Sequence, residues 1–339
     1  MGLGYVVSRI LDTYPDLDAR TVERRLAYGS FAHLNDRVVY LEVPKAACTV
    51  VKMSLRDLYS SSPLTLFPHL SRQTKRRMFV HARANAPLPA LSELDDAAQR
   101  ELLEDADVLR FTVVRNPYTR FVSAWRDKVY LCEPTVEDVY RAVRGGAPDL
   151  GAKQPVEFAE FVTHVERTIG PSSDAHWRRQ VDLTYPKALG FTHVGQTEDL
   201  ATTMARLYAH VRRDPPATIP RENGAALVPG NTYTESIAAR VRAIYERDFA
   251  AFGYDPATWP NDPTGSSGAI SLERFVDEVM ERNVIITHLY NEHARLAREY
   301  RAVYRFSLTR LANKWRRLLK PEPAAPRPRR KPDGPDARA

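Results

Sequence analysis

Apolar residues gather in short continuous runs, and two of these runs lead through a loop into a helix-spaced pattern. Residues 38–43 read V-V-Y-L-E-V, β-branched and aromatic, and Pro44 closes them. That is the signature of a strand buried on both faces. After P-K-A-A-C-T, Val51, Leu55 and Leu58 recur at helical spacing within 50–59. The strand signal returns as F-T-V-V at 111–114, and after R-N-P the apolar positions Phe121, Val122, Trp125 and Val129 predict a helix over 118–130. A third core strand is predicted at 191–195, with helices over 156–167, 199–212 and 236–252 and another opening at Ser92, Glu93 and Leu94. Strand, loop and helix in repeated succession predict an α/β domain around a central, mostly parallel sheet, with its ligand at the carboxyl ends of the strands.

The flanks read differently. Residues 1–36 are polar with short helical patterns, such as 21–28, and 145–155 is a loop. The stretch 255–268, rich in Pro, Gly, Asp and Ser, marks a boundary. The predicted organisation is a catalytic domain over 1–262, a helical extension over 263–320 and a disordered, basic, Pro-rich tail over 321–339.

Composition narrows the class. The 339 residues are 43% hydrophobic, enough for a sizeable core. Two cysteines, Cys48 and Cys132, exclude a disulfide framework and suit a reducing compartment. Of the net charge of +7, residues 299–339 supply +8 through 12 Lys/Arg against four Asp/Glu, so the body carries −1. A nucleic-acid protein would spread its basic residues over a folded face, and none is expected to bind here. No apolar run approaches the roughly 18 residues of a membrane span, and residues 1–10 show no signal peptide. A cytoplasmic protein is expected. Within 299–320, Tyr304, Leu308, Leu311, Trp315 and Leu318 share a helix face while Arg305, Arg310, Lys314, Arg316, Arg317 and Lys320 decorate the rest. That pattern suits peripheral contact with an anionic membrane, and equally docking on a protein partner or on the chain's own domain.

Two segments carry candidate chemistry. Pro44 to Thr49 sits between a strand and a helix, where a lysine, a hydroxyl and first-turn N–H groups form an anion cradle. The glycines of a Walker A loop are missing, and in isolation the segment reads rather as an ordinary loop. Arg115 follows a strand directly, and its fork of donors could clamp a phosphate. Taken alone, Arg115, Arg120 and Arg126 read rather as ion-paired residues on a solvated helix face. Cys48, at a helix N-terminus, reads either as a reactive thiol or as packing, and packing is favoured. His288 and His293, five apart, do not suit a shared metal, and no H-E-x-x-H or C-x-x-C occurs.

Taken together the segments are more specific. L-E-V-P-K-A-A-C-T-V-V-K resembles the 5′-phosphosulfate loop of sulfotransferases that use 3′-phosphoadenosine 5′-phosphosulfate (PAPS), and F-T-V-V-R-N-P-Y-T-R-F-V-S-A-W-R-D-K resembles their 3′-phosphate motif. D-A-H-W-R-R-Q (174–180), F-T-H-V-G-Q-T-E-D-L (191–200) and R-A-I-Y-E-R-D-F-A-A-F-G-Y (242–254) are similar, in the same order, to later blocks of the Golgi-type carbohydrate sulfotransferases, a subgroup that includes chondroitin 4-O enzymes and bacterial relatives. The resemblance covers 38–255. It implies a P-loop-like, three-layer sulfotransferase fold, PAPS as co-substrate, no metal and a carbohydrate-type acceptor.

Residue by residue, the resemblance assigns Lys45 to the phosphosulfate and its leaving oxygen. It adds the N–H groups of Ala46, Ala47 and Cys48 and the Thr49 hydroxyl to the cradle, and gives Arg115 and Ser123 the 3′-phosphate. His81, in F-V-H-A-R, stands where related enzymes place a catalytic histidine, with His69 and Glu42 as fallbacks and Arg83 where a second histidine often lies. His176 and Trp177 read as core. Arg221 and Asn223 belong to a loop that could close over the nucleotide. Two alternatives stay open at this point: a phosphotransferase, which would need Mg²⁺ ligands, and a degenerate fold acting as a binding or scaffold protein.

Overall fold

The computed structural model describes residues 3–60, 86–130, 136–146, 156–216 and 233–260, and scattered positions between 286 and 300. His69, His81, Arg83, Cys132, Arg221, Asn223 and the apolar face at 304–318 lie outside the described residues. Two compact units emerge, Met1–Arg274 and Phe275–Ala339. In the second, the described positions are helical, and Arg295 pairs with Glu292 and Glu299 at 2.7 Å each.

The described strands of the first unit are β1 (Ser30–His33), β2 (Val38–Leu41), β3 (Leu109–Val114) and β4 (His193–Gln196). They lie side by side in that order, β1 antiparallel to β2 and the rest parallel. Its helices are α1 (Tyr5–Thr13), α2 (Ala19–Gly29), α3 (Cys48–Tyr59), α4 (Asp96–Glu104), α5 (Pro117–Ala124), α6 (Glu137–Arg144), α7 (Phe158–Thr168), α8 (Gln180–Thr184), α9 (Pro186–Leu189), α10 (Leu200–His210), α11 (Glu235–Ile244) and α12 (Glu246–Phe252). Every residue of β2 and β3 is buried, because helices cover both faces. Val39 and Leu41 face Ile10, Val22, Leu26 and Leu102 of α1, α2 and α4. Val38, Tyr40 and Phe111 face Val51 and Leu55 of α3 and Met204 and Leu207 of α10. Alternation along the strand thus divides the core into two layers around the sheet. Each large apolar side chain so buried contributes about 1.5–3 kcal/mol.

A third cluster joins α5, α7, α11 and α12, where Phe121 stacks on Phe161 at 5.0 Å and Trp177 meets Phe161 edge-on at 5.3 Å. Among the described residues no helix is long and apolar enough to cross a membrane.

Four elements differ from expectation. The helix expected to open at Ser92, Glu93 and Leu94 is there a 3₁₀ turn, Leu91–Glu93, and α4 begins only at Asp96. Strand β1 lies in the stretch read as polar; its four residues S-F-A-H are too few to alternate and follow α2 without a break. The helix predicted over 118–130 widens at Trp125 into a π-helical segment, Trp125–Tyr130. The helix predicted over 236–252 breaks at Tyr245, whose hydroxyl donates to the Trp177 carbonyl.

Candidate active site

Because β2 and β3 are parallel neighbours, the loops leaving their carboxyl ends open side by side. Pro44–Ala47 makes a tight turn into α3, with Lys45 at φ 68° and Ala47 at φ 54°. Left-handed backbone at a residue bearing a Cβ costs about 1–2 kcal/mol. The surrounding contacts hold it in place. The Ala46 N–H donates to Val43 O (3.1 Å), and Arg120 Nε donates to Pro44 O (3.0 Å). This corrects one expectation: the Ala46 amide is spent inside the turn. The N–H groups of Ala47 and Cys48 have no acceptor among the described residues and stand at the positive end of α3. The Cys48 thiol is buried, which pushes its pKa up, so the packing role holds over the reactive one. Glu42, a fallback base, is 2% exposed beneath the loop and its carboxylate pairs with Lys52 at 2.7 Å. It cannot meet an acceptor.

Arg115 leaves β3 just beyond this turn. Its Nη1 donates to Lys45 O (3.2 Å) and its Nε to the Thr119 hydroxyl (3.0 Å). Helix α5 begins at once, with Pro117 in its first turn and the Asn116 side chain accepting from the Tyr118 N–H (3.0 Å). Thr119 and Ser123 follow at four-residue spacing on one face of α5, and Asp127 lies beyond them in the π-helical segment. Thr119 bonds Arg115, and Asp127 bonds the ammonium of Lys45. Ser123, 8% exposed, lies one turn beyond Thr119 on α5. Burial works against the charge on Asp127, but Lys45 and Arg126 outweigh it and hold the carboxyl below its usual range. Burial likewise lowers the Arg115 pKa, opposed by the charge of Glu198.

Gln180 and Asp248, neither singled out from the sequence, hold this pair in place together with Arg120. The Gln180 side-chain amide accepts from Arg115 N–H (2.9 Å) and donates to Arg115 O (2.8 Å). Asp248, fully buried, accepts from the N–H groups of Gln180 (2.7 Å) and Val181 (2.9 Å) at the start of α8. Arg120, 1% exposed, donates to three backbone carbonyls, those of Pro44, Arg178 (2.8 Å) and Ala175 (2.9 Å). It does not pair with acids on a solvated face. Gln180 and Asp248 fall in the D-A-H-W-R-R-Q and R-A-I-Y-E-R-D-F blocks, which was the signal available for them.

Burial pushes the Asp248 carboxyl up to about 6, against the lowering effect of its two amide donors. Between roughly pH 4 and 6 the folded chain therefore holds a proton that the unfolded chain releases. The stability this lends is complete below that window and is lost as pH rises through it. Urea unfolding should show the advantage of wild type over Asp248→Asn shrinking as pH rises, by at most about 1.4 kcal/mol per unit. A difference that is flat or grows would contradict the assignment.

Among the described residues, no group of three or more His, Cys, Asp or Glu could hold a metal ion. His81, the expected base, lies outside the described residues.

Comparisons with known proteins bring in three carbohydrate sulfotransferases. Carbohydrate sulfotransferase 10 of Pongo abelii is 24% identical over 64% of this chain and 64% of its own length. Carbohydrate sulfotransferase 8 of Homo sapiens is 27% identical over 60% of the chain and 47% of its own length. Carbohydrate sulfotransferase 12 of Mus musculus is 25% identical over 64% of the chain and 58% of its own length. The chain thus spans less than two-thirds of each of these relatives. No solved structure matches it significantly. The family model described as "Sulfotransferase family" matches residues 31–255, from the edge strand through the last block that buttresses Arg115. With Lys45 and Arg115 on adjoining loops inside that span, the chain belongs to the sulfotransferase family.

Proposed function

We propose that this protein transfers a sulfuryl group from PAPS to a hydroxyl of a carbohydrate acceptor. One observation carries the reading: Lys45, at the head of α3, and Arg115, after β3, are joined through the Lys45 carbonyl. The acceptor class rests on the names of the relatives. In this reading the N–H groups of Ala47 and Cys48 and the Thr49 hydroxyl receive the 5′-phosphosulfate. Arg115 and Ser123 take the 3′-phosphate, which distinguishes PAPS from ordinary nucleotides. The acceptor oxygen attacks sulfur in line as the bond from sulfur to the bridging oxygen breaks. Lys45, released from Asp127, meets the charge that develops on that oxygen.

Calorimetry tests the donor site without knowledge of the acceptor. Adenosine 3′,5′-bisphosphate should bind far more tightly than 5′-AMP, and Arg115→Ala should weaken it by about 10²-fold, as expected for losing a charge-assisted fork. Equal or absent binding of both nucleotides would sink the reading.

A further inference from the structure

The D-A-H-W block contains an arrangement that its reading as core does not account for. Trp177 is buried (4%), but the His176 side chain keeps 29% of its surface exposed. One oxygen of Asp174 accepts from both the His176 N–H (2.8 Å) and its ring Nδ1 (2.7 Å). The carboxylate can only accept, so neutral His176 carries its proton on Nδ1 and presents the lone pair of Nε2. That Nε2 has no partner among the described residues. The turn is rigid: Trp177 and Arg178 N–H both donate to Asp174 O (3.2 and 2.9 Å), and Arg178 Nε donates to Ser173 O (2.8 Å).

Two independent links bring this dyad to the donor loop. The single guanidinium of Arg120 bonds both Pro44 O and Ala175 O, so the backbone just before Lys45 and the backbone just before His176 meet at one side chain. Ala175 also packs against Val43 and Ala46. On the far side, Lys128 lies close enough for its charge to act on Asp174, while its neighbour Asp127 bonds Lys45. Burial opposes the charge on Asp174, but His176 and Lys128 hold the carboxyl below its usual range.

From this geometry we propose that His176, oriented by Asp174, is the general base that deprotonates the acceptor hydroxyl. The proposal rests on the sulfuryl-transfer reading. The acceptor oxygen forms its bond to sulfur as the bond from sulfur to the bridging oxygen breaks, and that electron pair stays on the departing bisphosphate. The acceptor proton passes to Nε2, and the imidazolium returns it to solvent after products leave. The charged groups around the dyad are Asp174, Lys128 and Arg178.

Labelled PAPS with water as the acceptor provides the assay, and adenosine 3′,5′-bisphosphate the binding probe. His176→Asn should bind the bisphosphate as wild type does, release labelled sulfate about 10²- to 10⁴-fold more slowly, and lose the acid limb of the kcat profile. Asp174→Asn keeps the oxygen acceptor but not the charge, so it should show a smaller loss with a displaced limb. His81→Asn is the comparison. If His176→Asn keeps wild-type rate and limb, or if only His81→Asn loses the limb, the proposal is overturned. Wild type that binds the bisphosphate yet releases no sulfate above the uncatalysed rate overturns it too. Wild type that fails to bind the bisphosphate overturns the donor reading instead, and the proposal falls with it.

Discussion

Lys45→Ala should lower turnover by about 10²- to 10³-fold, the scale of removing one preorganised group that meets developing charge. Two features predict the size of the loss. The ammonium is delivered from a left-handed backbone position held by neighbouring hydrogen bonds, which fixes where its stem leaves the loop. Its removal also strips Asp127 of its main counter-charge beside the expected path of the phosphosulfate, which adds repulsion to the lost attraction. Bisphosphate affinity should therefore fall along with kcat. The double variant Lys45→Ala with Asp127→Asn separates the effects: binding should recover substantially while turnover stays low. Equal recovery of both would mean that Lys45 does not act on the leaving oxygen, and recovery of neither would mean that the Asp127 charge does not repel the nucleotide. Calorimetry and single-turnover rates with labelled PAPS read the two quantities separately.

Arg120→Ala should be the most destabilising single change among the residues that hold the donor loop. The side chain is almost wholly buried and satisfies three carbonyls from two distant segments. Truncation leaves a cavity and uncompensated acceptors, which together cost about 3–5 kcal/mol. For a unit of this size that is a fall in Tm of roughly 10 °C. Arg120→Lys should rescue little, because one ammonium cannot span acceptors placed for a planar fork. Thermal unfolding followed by circular dichroism measures both. A shift of less than 2 °C for the alanine variant would refute the role.

What could be read in advance depended on the range of the interaction. Strands β2 and β3 announce themselves because a strand buried on both faces must be apolar at every position, and the turn at Pro44 and the helix spacing of Val51 and Leu55 are local. Strand β1, at the edge of the sheet among the described residues, has no such signal: four residues are too few to show a period. The chemical identity of Lys45 and Arg115 was visible in their motifs, but their adjacency depends on strand pairing. Arg120, Gln180 and Asp248 work through contacts between residues 55–76 positions apart in the chain, and composition cannot distinguish a buried arginine serving carbonyls from one on a wet surface. His176 was misjudged because it adjoins a core tryptophan; two successive residues point different ways, and only the Asp174 contact shows which one stays accessible.

The missing glycines of P-K-A-A-C-T have a consequence for the entropy of capture. A glycine at position 45 or 47 would adopt the same backbone freely, but it would also wander through many other conformations before an anion arrived. Lysine and alanine accept a standing strain instead. The ordering of this loop is thereby completed when the chain folds, and an arriving anion meets a surface that has little freedom left to lose.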